Sequence, residues 1–168
     1  ANTVSSIIIG QDIGKQEYEA ARFNGWGISL LGILILVPIG VAIALFAESF
    51  VAIFTSDPET IQYAIYFTIA YGLSAGFETL FKIYSGVLQG AGDTRKPLYA
   101  ELFSVSFSYI AFTYVMGLYL GFGVGVAYIA ILLHNILLAV IVTAWFYNNS
   151  WVFYAQDLMK SRGSINLD

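Results

Sequence analysis

The sequence predicts an all-α integral membrane protein: the end of one helix followed by four full transmembrane helices. Three observations carry that prediction. Of 168 residues, 58% are hydrophobic and only 11% charged, whereas a soluble domain carries roughly 25% charged residues. Four apolar stretches are each long enough to cross a bilayer, for which about 20 residues suffice. The basic residues fall in alternate connectors. The same composition excludes several function classes. The net charge of −4 offers no basic surface to a nucleic acid. The sequence has no cysteine, so it can form no disulfide framework, thiol nucleophile or cysteine-ligated zinc site. Its single histidine cannot build a multi-histidine metal motif.

The elements follow in order. "NTVSSIIIG" reads as the end of a helix and "QDIGKQEYEAARFN" as a polar connector, without the basic-then-apolar pattern of a signal peptide. The chain starts at Ala1 rather than Met, and the expectation is a fragment whose upstream part is missing. The first full span starts at Gly25, meets no charge before Ala47 and extends to about Ile53; Pro38 and Gly40 are expected to kink it. "TSDPET" breaks it, with Pro58 as the stop and Ser56 or Asp57 as cap. The second span runs from about Ile61 to Gln89 and ends in "GAGDTRKP". Here Gly90 and Gly92 suit a helix C-terminus, with φ > 0 expected at Gly90; Asp93 completes the turn, and Pro97 suits the first turn of the next helix. The third span covers about Leu98 to Leu118 and the fourth about Val124 to Tyr147, with "GLYLGFGVG" as the turn between them. Residues 1–148 form the membrane part and 149–168 a polar tail, in which Trp151 is placed like an interfacial anchor.

Lys15 and Arg22 precede the first full span, Arg95 and Lys96 separate the second from the third, and Lys160 and Arg162 follow the fourth. The connectors at 54–59 and 119–123 contain no basic residue. The positive-inside rule therefore places residues 10–24, 90–97 and the tail in the cytoplasm of a multi-pass protein of the cell membrane. The "NNS" at Asn148 matches a glycosylation acceptor but falls on that cytoplasmic side. "GAGD" follows a membrane helix, not a strand, and lacks the spacing of a phosphate loop. Gly72 with Gly76, and Gly86 with Gly90, have the small-xxx-small spacing that lets helices approach closely in lipid.

Inside the second span, "SAGFETLFKIYSG" holds Glu78 and Lys82 one turn apart. At about 100° per residue, Tyr71, Ser74, Lys82, Ser85 and Gln89 all point within about 40° of Glu78. Such a stripe must face protein or a water-filled cavity, because a charge at the bilayer centre costs roughly 2.5–3.5 kcal/mol. Lys82 can escape part of that cost by snorkelling toward the cytoplasm. Glu78 is deeper and shorter, so it must pair, bind a cation or take up a proton; the readings are a helix-registering ion pair with Lys82 or a functional intramembrane acid. Glu101 is expected in the first turn of its helix, where the dipole favours an acid, and Glu48 at the membrane interface. His134 and Asn135, mid-span, either satisfy a neighbouring helix or sit in a cavity or proton relay.

Three segments resemble multidrug and toxic compound extrusion (MATE) transporters: "GVLQGAGDTRKP", "IIIGQDIGKQEYEAAR" and "VAIFTSDPETIQYAIYF". Members of that family have twelve helices in two pseudo-symmetric six-helix lobes. The resemblance covers residues 4–147 and implies part of one lobe, the C-terminal one, whose partner in function is the missing N-terminal lobe. Sodium-coupled members hold an acid, usually Asp, twelve positions before the second Gly of a G-x-x-x-G, and here that position is Glu78, counted from Gly90 with Gly86 as the first Gly. The acid is Glu rather than Asp, Gln89 stands where Arg often precedes the second Gly, and the partner acid on the first helix of the lobe lies outside this chain. The resemblance implies an antiporter, not an enzyme. It would export amphipathic or cationic small molecules in exchange for H⁺ or Na⁺, with no other cofactor. Glu78 would hold the coupling ion, Na⁺ included, in a cavity shared with Lys82, Tyr71, Ser74, Ser85 and His134. The alternatives are a lipid-linked saccharide flippase, which would want more basic residues than Lys82, and a non-transporting membrane scaffold, which needs no titratable stripe.

Overall fold

The protein was analysed as a computed structural model that describes residues 1–165; the end of the tail beyond them, and the side chain of Arg162, lie outside the described residues. The chain is a succession of helices: α1 (Asn2–Gly14), α2 (Tyr18–Leu45), the short α3 (Ala47–Ala52), α4 (Pro58–Gly90), α5 (Arg95–Ser104), α6 (Gly125–Tyr147) and α7 (Ser150–Ile165). The span begun by α5 continues as a π-helix over Val105–Tyr119. Three helices are long and apolar enough to cross a membrane by length and composition: Tyr18–Leu45, Arg95–Tyr119 and Gly125–Tyr147. The 33-residue α4, about 50 Å long at the helical rise, is less apolar because it carries the polar stripe. It forms the centre of the bundle and packs against α1, α2 and α6.

Glycines set that packing. A Cβ on Gly86 would run into Ser5 Oγ and the Asn2 carbonyl, and one on Gly90 would lie 2.6 Å from the Ser6 carbonyl oxygen and 3.1 Å from the Gly10 nitrogen. Both positions face α1, whose Ser5 hydroxyl donates to the Ile83 carbonyl at 3.0 Å. On the α2 side, a Cβ on Gly40 would lie 2.6 Å from the Gly72 carbonyl oxygen, and one on Gly76 would lie 3.1 Å from Val37 Cγ2. The two small-residue pairs read in the sequence are therefore two helix seams. On α2, Gly32 also lies against Ile83 and Thr79 of α4, and Gly25 against Val87 of α4 and Phe146 of α6; the sequence reading took Gly40 only as a kink position and did not join it to this seam.

Several expectations change. Helix α2 runs on through Pro38 to Leu45, and the first span breaks at Phe46, before α3. Glu48 lies exposed in the first turn of α3. Pro58 opens α4 instead of closing the helix before it, and Asp57 is the cap, accepting the Thr60 backbone N–H at 2.9 Å. Gly90 keeps helical backbone, and the positive φ of 89° falls at Gly92. Asp93 is buried and grips the start of α5, with Oδ1 accepting the Lys96 backbone N–H at 3.3 Å and Oδ2 paired to Lys96 Nζ at 3.0 Å. Trp151 is not an interfacial anchor. It is fully buried, donates Nε1–H to the Phe146 carbonyl at 3.1 Å, and stacks on the Phe146 ring. The polar tail folds as α7 because Trp151 and Ala155 complete a core with Ile9, Val87, Leu88 and Val142.

The basic connectors share one end of the bundle. Gly10 touches Gly90, Gly92 lies against Leu158 and Tyr154, and Lys96 Nζ donates to Ser150 Oγ at 3.0 Å. The charge alternation along the sequence thus corresponds to a single polar end.

Candidate functional site

The midsection of α4 carries the site. Its helical register sets Tyr71, Glu78 and Lys82 on one face. Glu78 Oε1 accepts the Tyr71 hydroxyl at 2.9 Å and pairs with Lys82 Nζ at 2.6 Å. The Glu78 side chain is 18% exposed and that of Lys82 53%. Lys82 does not snorkel toward the polar end of the bundle. Side chains on a helix lean toward its N-terminus, and an acid four residues N-terminal to a lysine is the favourable order for an ion pair. The ammonium therefore turns back, deeper along α4, to meet Glu78.

The three residues open onto a cavity of about 470 Å³ between α2 and α4. Leu36, Ile39 and Ile43 of α2 form one wall, Phe50 and Phe67 close the end, and Gly40 and Gly72 bring the two helices together beneath. The site is thus one carboxylate, one phenol and one ammonium, with Thr68 and Thr79, within a largely aliphatic and aromatic lining. Oxygen donors of this kind suit a hard cation. Among the described residues no three His, Asp or Glu side chains converge, whereas a divalent cation such as Ca²⁺ takes several carboxylate and carbonyl oxygens.

The other stripe residues play different parts. Ser74 is fully buried behind the site: its hydroxyl donates to the Tyr71 carbonyl at 2.8 Å and accepts the Asn135 side-chain amide at 3.3 Å, tying α6 to α4. Ser85 is buried and lines a second cavity of about 420 Å³ with Lys82, Gln89 and Glu101. His134 is not brought to Glu78. It is 7% exposed and stacks on Tyr109 at 4.5 Å. Its Nδ1 shares a 2.9 Å hydrogen bond with Ser104 Oγ, and its Nε2 lies 3.7 Å from Glu101 Oε1. Glu101 is accordingly not a first-turn acid: α5 begins at Arg95, and its first turn contains no acid. The sequence put Glu101 and His134 on different helices, and the pairing of those helices was not encoded in either segment.

The MatE family profile matches residues 2–115. The chain is 28% identical over 128 residues to a probable multidrug resistance protein NorM of Thermotoga maritima, covering 76% of this chain and 27% of that protein. It is 33% identical over 118 residues to a probable NorM of Photorhabdus laumondii, covering 70% of this chain and 24% of that one. Its fold is similar to the inward-facing conformation of a multidrug resistance MATE family transporter of the MOP superfamily, with a TM-score of 0.77 at 22% identity over 86% of this chain and 32% of the other. The chain therefore spans about a quarter to a third of the length of the proteins it matches. With its α-helical membrane spans and this match over more than half its length, the chain belongs to the MATE family of multi-pass membrane transporters.

Proposed function

We propose that this chain forms part of a secondary active antiporter that exports amphipathic or cationic small molecules in exchange for H⁺ or Na⁺, with Glu78 as the residue that holds the coupling ion. The observation that carries this reading is the Glu78 carboxylate, paired with Lys82, inside a largely aliphatic and aromatic cavity, at a depth where an unused charge would be a net cost. Such a cavity suits an organic cation, which gains from apolar burial, aromatic faces and one counter-charge. Coupling then follows from competition. The coupling ion and a cationic substrate both need the Glu78 charge, so binding one weakens the other, and alternating access of two lobes makes the exchange directional. The remaining lobe, supplied by the rest of the transporter, would close the cavity opposite α4. An anion-carrying flippase is not favoured, because the cavity's one ammonium is already neutralised by Glu78. In the cell membrane, the basic end of the bundle would face the cytoplasm.

Two experiments test the reading. In proteoliposomes of the transporter that contains this chain, ethidium efflux should follow an imposed Na⁺ or pH gradient and collapse with the matching ionophore, monensin or nigericin. Efflux indifferent to both ionophores would refute antiport. For orientation, cysteines at Ser56 and Thr94 should label with a membrane-impermeant maleimide from opposite sides; labelling of both from one side refutes the topology.

A further inference from the structure

Lys82 borders two cavities at once: the one that holds Tyr71 and Glu78, and the one that holds Ser85, Gln89 and Glu101. In the first it is paired with Glu78 Oε1. In the second, Glu101 offers a carboxylate whose Oε1 lies 3.7 Å from His134 Nε2. Glu101 Oε2 is buried and has no hydrogen-bond partner among the described residues. The hydroxyl of Ser85, one turn beyond Lys82 on α4 and 2% exposed, is likewise without a partner there. A buried carboxylate oxygen and a buried hydroxyl left unpaired are costly. Ser85 and Glu101, whose side chain is 42% exposed overall, line the cavity that the flexible four-carbon arm of Lys82 also borders.

We infer that Lys82 is an internal counter-cation with two alternative seats, Glu78 and the Glu101–Ser85 pocket, and that Glu78 accepts the coupling ion when Lys82 moves to the second seat. The inference rests on the proposed role of Glu78. In the seat seen here the ammonium neutralises Glu78 and competes with an incoming cation. In the other seat it pairs with Glu101 Oε2 and gives the Ser85 hydroxyl an N–H to accept, which satisfies the two orphaned groups and leaves Glu78 with only the Tyr71 hydroxyl. The titratable groups around this path are Tyr71 and Glu78 on α4, Glu101 on α5, Tyr109 on the π-helical segment and His134 on α6. From α1 the path meets Asn2, and from α2 only the uncharged Leu36, Ile39, Gly40 and Ile43. Among these groups Lys82 is the flexible ammonium between two carboxylates, and His134 Nε2 lies 3.7 Å from Glu101 Oε1.

The test reads the Na⁺ or H⁺ concentration that half-saturates ethidium efflux from proteoliposomes of the whole transporter. Glu101→Gln removes the second seat, confines Lys82 to Glu78, and should raise that concentration about tenfold, the size expected when a nearby like charge opposes the bound ion. Adding Lys82→Met to Glu101→Gln removes the competitor and should return the value to the wild-type level or below. His134→Asn keeps both carboxylates and should leave it within about threefold. An unmoved value in Glu101→Gln, or a rise that Lys82→Met does not reverse, overturns the two-seat device. A shift in His134→Asn as large as that of Glu101→Gln also overturns it, because Glu101 would then act only by orienting the histidine. If Glu101→Gln does not fold, Glu101→Asp retains the charge at a shorter reach and should give a smaller shift, again reversed by Lys82→Met; no shift overturns the device. Failure of the underlying reading is separable: cation-driven efflux that survives Glu78→Gln refutes Glu78 as the coupling site whatever the Glu101 variants do.

Discussion

Helix α4 presents two unlike faces. Toward α1 it has given up side chains: Gly86 and Gly90 leave no room for a Cβ, and the backbones meet through Ser5, Asn2 and Ser6. Toward the cavity it does the reverse, keeping a phenol, a carboxylate and an ammonium where lipid-compatible residues would insert more easily. The first face is what a membrane helix needs to be held in place, since close backbone approach replaces the hydrophobic force that lipid cannot supply. The second adds little for that purpose, because an ion pair whose Lys82 is half exposed contributes little to stability. The contrast within one helix separates residues that hold the fold from residues proposed to serve transport, and it predicts opposite mutational phenotypes.

The glycine face should be intolerant in structure. Gly86→Val has the largest expected effect: its Cβ would meet Ser5 Oγ and a carbonyl of α1, overpacking that costs about 3 kcal/mol or more. The transporter should be lost from the folded fraction in fluorescence-detected size-exclusion chromatography. Gly90→Val should follow, at roughly 1–3 kcal/mol, whereas Gln89→Ala on the exposed side of the same turn should stay within about 0.5 kcal/mol. Equal melting temperatures for these two would erase the distinction between the faces. Gly92→Ala is smaller, about 1–2 kcal/mol, from the left-handed backbone at φ 89°. The smallest effect belongs to Asp57→Ala at the opposite end of α4. The Thr60 hydroxyl, and then its backbone N–H, hold the Asp57 carboxyl below its ordinary value of 3.8. The cap's contribution is therefore full above that ordinary value and disappears as pH falls through the lower folded value. Wild type and Asp57→Ala should differ slightly in melting temperature at neutral pH and converge in strong acid.

The two faces also differed in how far they could be read from the sequence. The helix spans, the Asp57 cap, both small-residue pairs and the Glu78 stripe were legible, because each depends on local spacing along one helix. The direction taken by Lys82 was misjudged. Its distance from the helix end allows snorkelling, but its side chain leans toward the N-terminus, where Glu78 waits one turn away. Trp151 and the Glu101–His134 pair were illegible for a different reason. The burial of Trp151 depends on α7 folding back onto Phe146, and Glu101 meets His134 only because α5 and α6 pack together. The break at Phe46 and the start of the π-helical segment at Val105 carry no Gly or Pro signal.

The cavity face should be tolerant in structure and intolerant in transport, and Glu78→Gln in the whole transporter tests this most directly. Glutamine keeps the shape of the side chain and can still accept the Tyr71 hydroxyl, but it removes the charge and its titration. Expression and melting temperature should be unchanged while Na⁺- or H⁺-driven ethidium efflux is lost, and adding Lys82→Met should not bring it back. If Glu78 were only the structural partner of Lys82, the double variant would transport normally. Normal cation-driven efflux by either the single or the double variant would contradict the assignment of Glu78 as the coupling residue.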